Sequence, residues 1–102
     1  MDFIYHITKS KWWNKFSLAD DYESETLNEE GFIHCSTRAQ ISSVLERYYA
    51  NQKGLVLLHI NPMLLQAELK YEVATNGRSF PHVYGKINRA AVVKVEKMAS
   101  HS

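Results

Sequence analysis

The apolar residues of this 102-residue chain occur in short segments of strand length. Segments 3–8, 32–35, 55–60, 67–73 and 91–95 are rich in β-branched and aromatic residues and are separated by turn-forming ones, which predicts five strands. No segment approaches the roughly 20 apolar residues that a membrane-spanning helix needs. We therefore expect an α+β domain with a mostly antiparallel sheet.

Two or three helices are expected, mainly in the first half of the chain. The clearest follows the second strand, where apolar side chains at positions 41, 44, 45, 48 and 49 form one helical stripe. Thr37 followed by Gln40 matches a capping box, which marks the start of that helix. A shorter helix is predicted after Ser10. Residues 17–30 are polar and acidic, which predicts a loop or a marginal helix and makes the segment a candidate lid.

Charge and cysteine content narrow the function classes. Twelve Lys and Arg residues against eleven Asp and Glu leave a net charge of +1, so no broad basic surface for DNA or an anionic membrane is expected. The single Cys35 excludes an internal disulfide, and no paired-ligand spacing predicts a metal site. Without a signal-peptide pattern, we expect one cytoplasmic domain over residues 1–102, of bacterial type.

Two short His-x-Ser/Thr units, 6–8 and 34–36, lie on separate predicted strands. In each unit the first and third side chains share a face, because strand neighbours alternate. Ser36 lies where a strand meets a helix, and free backbone donors at such a junction favour an anion. Both imidazoles could line one cleft if the two strands are close in the sheet. The alternative interpretation is that Ser36 is a turn residue, His34 is a core histidine, and the pattern recurs by chance at His6, which packs at an edge.

A third element is the segment from Arg78 to Gly85, with the sequence Arg-Ser-Phe-Pro-His-Val-Tyr-Gly. Pro81 restricts the residue before it to extended geometry. We expect a stiff loop that holds His82 and Tyr84, whose rings could stack on a planar ligand. The alternative is a structural turn in which the aromatic side chains close the end of the core.

Glu72 is the remaining candidate, because alternation along the predicted strand 67–73 places it opposite the core. A carboxylate facing a cleft could bind a ribose hydroxyl or stabilise a cationic transition state, whereas a solvated strand face is the more common case. The candidate catalytic residues are His6, His34, Glu72 and His82. The candidate ligand-binding residues are Thr8, Ser36, Thr37, Arg38, Phe80 and Tyr84. His59 and His101 are interpreted as structural.

The blocks Tyr5 to Thr8, Glu30 to Thr37, Tyr71-Glu72 and Phe80 to Gly85 together resemble domain-of-unknown-function family 952. Their order and spacing match along nearly the whole chain. Tyr71 stands where Trp is expected and Val83 where Leu is expected, and both changes conserve volume. The resemblance implies the ADP-ribosyltransferase-like fold, a small split core of mixed strands that clasps the nicotinamide end of NAD.

The resemblance also implies roles for particular residues. In that larger group an early strand carries a His that holds the adenosine-side ribose, and His6 is the similar position. A Ser before a helix helps to form the nicotinamide pocket, and Ser36 is similar. A late Glu, or a substitute, orients the nicotinamide ribose, and Glu72 and His82 are both candidates. Ile7 stands where many of the transferases have Gly, which narrows the ways in which NAD could approach.

Three functions follow from these patterns. The first is an ADP-ribosyltransferase-like or nucleotide-processing enzyme, with NAD or an ADP-ribose-like ligand and no certain cofactor. The second is a two-histidine phosphoesterase-type hydrolase, in which one imidazole is the base and the other the acid. The third is a non-catalytic module that binds a nucleotide or metabolite. With so little net charge, the expected nucleotide-like ligand would be held by local groups such as Arg38 or Arg78.

Overall fold

Eight strands and three short α-helices are found in residues 2–98, the part of the chain that the computed structural model describes. The strands are β1 (Ile4–Lys9), β2 (Asp21–Tyr22), β3 (Ile33–His34), β4 (Leu55–Ile60), β5 (Glu68–Val73), β6 (Ser79–Tyr84), β7 (Ile87–Asn88) and β8 (Val92–Lys97). The helices are α1 (Ser10–Asn14), α2 (Leu27–Glu30) and α3 (Ile41–Tyr48), and 3-10 turns span Arg38–Gln40, Pro62–Leu64 and Arg89–Ala91. His101 lies outside the described residues. No helix in 2–98 is long and apolar enough to cross a membrane.

The strands form three sheets with the orders β1-β4-β8, β2-β7 and β3-β6-β5. Every ladder within residues 2–98 is antiparallel, so the α+β class is confirmed, and the parallel pairs of a mixed core are not found there. The first and third sheets meet where Tyr5 and Ser36 exchange two backbone hydrogen bonds of 2.8 and 2.7 Å.

Two apolar clusters hold the sheets together. One face of the β1-β4 pair packs against the other two sheets, with Ile4, Leu58 and Tyr22 fully buried there. The opposite face, which includes Leu57, packs against the apolar stripe of α3. Because both faces of β4 are covered, its sequence is an almost continuous apolar run rather than an alternating one.

The predicted capping box is present between Thr37 and Gln40. The first turn after it is a 3-10 turn, and α3 follows from Ile41 to Tyr48. The Gln40 side chain also donates a 2.8 Å hydrogen bond to the Ser79 carbonyl, which ties the helix start to β6.

The segment 78–85 is not the predicted loop, because it forms β6, the central strand of the third sheet. The Pro81 carbonyl accepts a 3.0 Å bond from the Cys35 backbone, so the proline nitrogen also faces β3. Proline has no N–H with which to return that bond. The ladder therefore ends at His34, and a proline is tolerated in a central strand because its β3 partner stops there.

The acidic segment 17–30 is not a free lid. Tyr22 is fully buried, and its short strand pairs with β7. The Trp12 indole donates a 2.8 Å bond to the Glu23 carbonyl, and the Arg89 backbone donates a 2.8 Å bond to the Asp20 carbonyl. Lifting the segment would expose Tyr22 and break these bonds, so Tyr22 anchors an otherwise mostly exposed segment to the core.

Candidate active site

The outer face of the third sheet gathers side chains from all three of its strands. Pro81 and Val83 of β6 are buried. Strand alternation therefore turns Phe80, His82 and Tyr84 to the opposite, outer face, where they are half-buried. The candidates in the segment 78–85 are thus held by a strand rather than by a loop.

Cross-strand pairing adds partners on both sides of β6. The register pairs His82 with His34 of β3 and with Lys70 of β5, and it pairs Phe80 with Glu72. Residues directly opposite each other share a face of the sheet. Three of the four candidate catalytic residues, His34, Glu72 and His82, therefore lie together on the outer face.

Glu72 binds two neighbours through one carboxylate oxygen. Its Oε1 accepts a hydrogen bond from the Tyr84 hydroxyl and lies 2.8 Å from His82 Nδ1. The Tyr84 bond first, and the His82 bond second, hold the pKa of Glu72 below its usual value. The same contact raises the pKa of Tyr84. The outer face therefore holds a fixed, ionised carboxylate.

The Glu72 contact also determines how the His82 ring is oriented. Because a carboxylate can only accept, His82 Nδ1 donates to it, and Nε2 of the neutral ring carries the lone pair. Within residues 2–98, neither His82 Nε2 nor Glu72 Oε2 has a hydrogen-bond partner. One base nitrogen and one carboxylate oxygen therefore remain for a ligand.

His34 forms a second pair with a carboxylate. Its Nε2 lies 2.9 Å from Glu30 Oε2, and this bond is the main reason that the pKa of Glu30 is lowered. Helix α2 ends at Gly31, whose φ of 82° reverses the chain and brings Glu30 back over β3. The side chains are 54% and 38% exposed, so this pair is open to solvent.

Phe32 covers one of the two imidazoles. Its ring stacks on His82 with centroids 4.1 Å apart and an interplanar angle of 20°, and it meets His34 edge-on at 4.8 Å. The centroids of His34 and His82 are 5.1 Å apart. The His82 side chain is only 13% exposed, whereas that of His34 is 54% exposed, so the two imidazoles differ in solvent exposure.

The charges on this face are mostly negative. The carboxylates of Glu30, Glu68 and Glu72 lie there with one lysine, Lys70, whose Nζ is 3.9 Å from Glu68 and 4.9 Å from the Tyr84 ring centroid. Three carboxylates and one lysine leave this face with an excess of acidic groups. It suits a ligand on which positive charge develops.

The structure places His6 in the core rather than on the outer face. It is 6% exposed, with Nδ1 2.6 Å from the His34 carbonyl and Nε2 2.9 Å from the Tyr22 hydroxyl. Burial lowers its pKa from 6.5 to about 4, so the ring is neutral at physiological pH. Thr8, the other candidate on β1, is also buried and lies beside the Tyr22 hydroxyl.

The remaining candidates lie away from Glu72. Ser36 is buried in the bridge to β1, Thr37 caps a helix, and Arg38 donates a 2.9 Å bond to the Tyr5 hydroxyl. His59, interpreted as structural, has a carboxylate partner in Glu96, at 2.8 Å.

The NAD-binding positions that the resemblance implies therefore do not meet at one site. Both nitrogens of His6 are engaged inside the core, Ser36 is buried, and Glu72 is on the outer face. Within residues 2–98, no group of three or more His, Cys, Asp or Glu side chains could hold a metal ion.

Four contributors to the outer face were not among the predicted site residues: Glu30, Phe32, Glu68 and Lys70. Strand alternation carried a signal for three of them, because Phe32 is two residues from His34, and Lys70 and Glu68 are two and four residues from Glu72. Glu30 had no such signal, since its approach to His34 depends on the chain reversal at Gly31.

The fold and this site define a small α+β protein with paired histidine–carboxylate contacts on an open sheet face. Residues 7–95 match the profile of the family described as "Protein of unknown function (DUF952)". That match covers most of the sequence, so the chain belongs to the DUF952 family.

The chain is also similar to protein CC0527 from Caulobacter crescentus. The crystal structure of that protein has a TM-score of 0.87 with 28% identity, covering 95% of this chain and 86% of the other. Its solution NMR structure gives a TM-score of 0.82 with 28% identity, covering 96% and 85%. A crystal structure of a double mutant gives 0.86 with 26% identity, covering 95% and 86%. A search of curated proteins gives no match.

Proposed function

We propose that the protein is an enzyme that cleaves the N-glycosidic bond between a ribose and a base in a nucleotide-like ligand. ADP-ribosyl transfer breaks the same kind of bond, and the ADP-ribosyltransferase-like grouping of the fold is part of this proposal. The observation that carries it is the Glu72 carboxylate, held ionised on an exposed sheet face by Tyr84 and His82.

The chemistry needs a negative group beside the ribose. When the bond from C1′ to the base nitrogen breaks, its electron pair leaves with the base and positive charge develops on the ribose. A carboxylate fixed in advance stabilises that charge without having to reorganise. Tyr84 and His82 hold Oε1 of Glu72, which leaves Oε2 to face the ribose.

His82 completes the reaction in this proposal. As water adds its oxygen to C1′, the proton that it loses goes to His82 Nε2, which the Glu72 contact orients as the base nitrogen. The His34 ring, whose side chain is 54% exposed, offers a flat surface against which the departing base can stack. The two candidates for the late residue, Glu72 and His82, therefore act as one unit.

NAD is the probe substrate, and released nicotinamide is the measured product. We expect Glu72→Gln to lower the rate by roughly 100- to 1,000-fold, the usual effect of losing one electrostatic contact to a transition state. Glu46→Gln removes an exposed carboxylate of α3 outside the site, and it should leave the rate unchanged.

Calorimetry with NAD and ADP-ribose separates the outcomes. The proposal is rejected if no nicotinamide is released and neither ligand binds at millimolar concentration. Binding without release would indicate a non-catalytic nucleotide-binding module instead. The nucleotide-like partner and the cytoplasmic location are likewise predictions.

A second candidate function is two-histidine phosphodiester hydrolysis. It is favoured by the 5.1 Å separation of the His34 and His82 rings, which suits one imidazole as base and the other as acid. The pair would then be His34 and His82, because His6 is buried. Hydrolysis of a 2′,3′-cyclic nucleotide that is lost in both His34→Ala and His82→Ala would select this function over the first.

A further inference from the structure

A groove lies between α3 and the turn that joins β5 to β6, and Phe80 is one of its lining residues. Its apolar lining residues are Val44, Tyr48, Ala74 and Phe80, and its polar ones are Ser43, Arg47, Thr75 and Asn76. The polar residues come from α3 and from the turn between β5 and β6. The groove is therefore amphipathic, because both aromatic rings and hydrogen-bonding groups line it.

The groove has the opposite charge to the outer face. Arg47 is the one charged residue among those that line it, and it is exposed. Its guanidinium lies 5.7 Å from the Tyr48 ring centroid, and within residues 2–98 no carboxylate forms an ion pair with it. A guanidinium without a carboxylate partner is available to bind an anion through two parallel hydrogen bonds.

The groove and the Glu72 site are neighbours on one surface. Phe80 lines the groove and is also the direct cross-strand partner of Glu72. Side chains at such positions have Cβ atoms about 4.5–5.5 Å apart. A ligand with its ribose at Glu72 therefore needs to reach past only one aromatic side chain to enter the groove.

We propose that this groove binds the phosphate of the same substrate, so that the enzyme acts on nucleotides in preference to nucleosides. This inference rests on the proposed function, because it places the ribose at Glu72. Arg47 binds the phosphate oxygens, and the Asn76 amide adds a donor. The Asn76 Oδ1 accepts a 2.9 Å bond from the Arg78 backbone, which leaves Nδ2 for the ligand.

The test compares nicotinamide mononucleotide with nicotinamide riboside, which share the scissile bond and differ by one phosphate. Calorimetry on the full chain is expected to show roughly 10- to 100-fold tighter binding of the mononucleotide, the effect of one charged hydrogen-bonded contact. Arg47→Gln should remove most of that preference by weakening the mononucleotide, and Arg47→Lys should restore part of it. Lys53→Gln removes an exposed positive charge outside the groove and serves as the control.

Binding and cleavage report on different parts of the argument. A phosphate preference that needs Arg47 supports the subsite even where no bond is cleaved. Equal affinity for the two ligands, or a preference that falls equally in Arg47→Gln and Lys53→Gln, overturns it. In that case, cleavage of the riboside that is lost in Glu72→Gln would still support the proposed function. No binding of either ligand contradicts both.

Discussion

His6 is expected to make the folded protein less stable as the pH falls below about 6.5. A backbone carbonyl can only accept, so Nδ1 donates to the His34 carbonyl, and Nε2 of the neutral ring accepts from the Tyr22 hydroxyl. A proton added at Nε2 would remove that acceptor and place a charge in the core. Burial accordingly lowers the pKa of His6 to about 4.

The size of the effect follows from the two pKa values. The unfolded chain takes up this proton near pH 6.5 and the folded chain near pH 4, so acid favours unfolding between those values. At about 1.36 kcal/mol for each pKa unit, the free energy of unfolding falls by about 3 kcal/mol in total once the pH is below both pKa values. At pH 5, about 2 kcal/mol of stability is lost, and above pH 6.5 almost none is.

Urea denaturation at pH 7.5 and pH 5.0 measures this loss. His6→Asn keeps a donor for the His34 carbonyl but has no group that titrates in this range. The wild type should therefore lose about 2 kcal/mol more than His6→Asn between the two pH values. His59→Asn is the control, because His59 is paired with Glu96 and makes no hydrogen bond to His6, so its removal leaves the His6 contribution in place.

Equal losses of stability in the wild type and in His6→Asn would refute the reasoning. Proton NMR of the folded wild type gives an independent check on the His6 ring. A titration of that ring near pH 6.5, its ordinary value, would show that burial does not govern its pKa.

Two further predictions concern the start of the 3-10 turn and the cysteine. Thr37→Ala should lower the free energy of unfolding by about 1 kcal/mol, because the capping box with Gln40 is lost; an unchanged urea midpoint would contradict this. Cys35 is 3% exposed and burial raises its pKa, so an aromatic disulfide reagent should label it only after unfolding in guanidinium. Labelling of the native thiol within seconds would show that it is accessible.

The longer strands could be predicted from sequence because their residue pattern is local. Segment 55–60 was predicted as found for β4, and β1, β5 and β8 lie within one or two residues of the predicted bounds. The two-residue strands β2 and β7 could not be found, since so few residues carry no periodicity. The strand β6 was missed because Pro81 is a turn signal unless the neighbouring strand is known to end beside it.

The candidate site was predictable in part. Alternation along β5 placed Glu72 on the face opposite Leu69. That strand is at the sheet edge, however, and Tyr71 and Val73, which share a face with Leu69, are 54% and 71% exposed. The meeting of His34 with His82 depends on pairing between residues 48 positions apart, which no local pattern contains. The two His-x-Ser/Thr units look alike in sequence, yet β1 is covered on both faces whereas the outer face of β3 is open.

These two histidines are nevertheless connected. Strand β3 has only two residues, and His34 is held there by its pairing with His82, by Glu30 at its ring and by His6 at its carbonyl. A core residue that touches no ligand therefore fixes the backbone of a residue that lines the site. A change in activity caused by His6→Asn would arise through the position of β3, and it would leave the contacts of Glu72 unaltered, because those are made within β5 and β6.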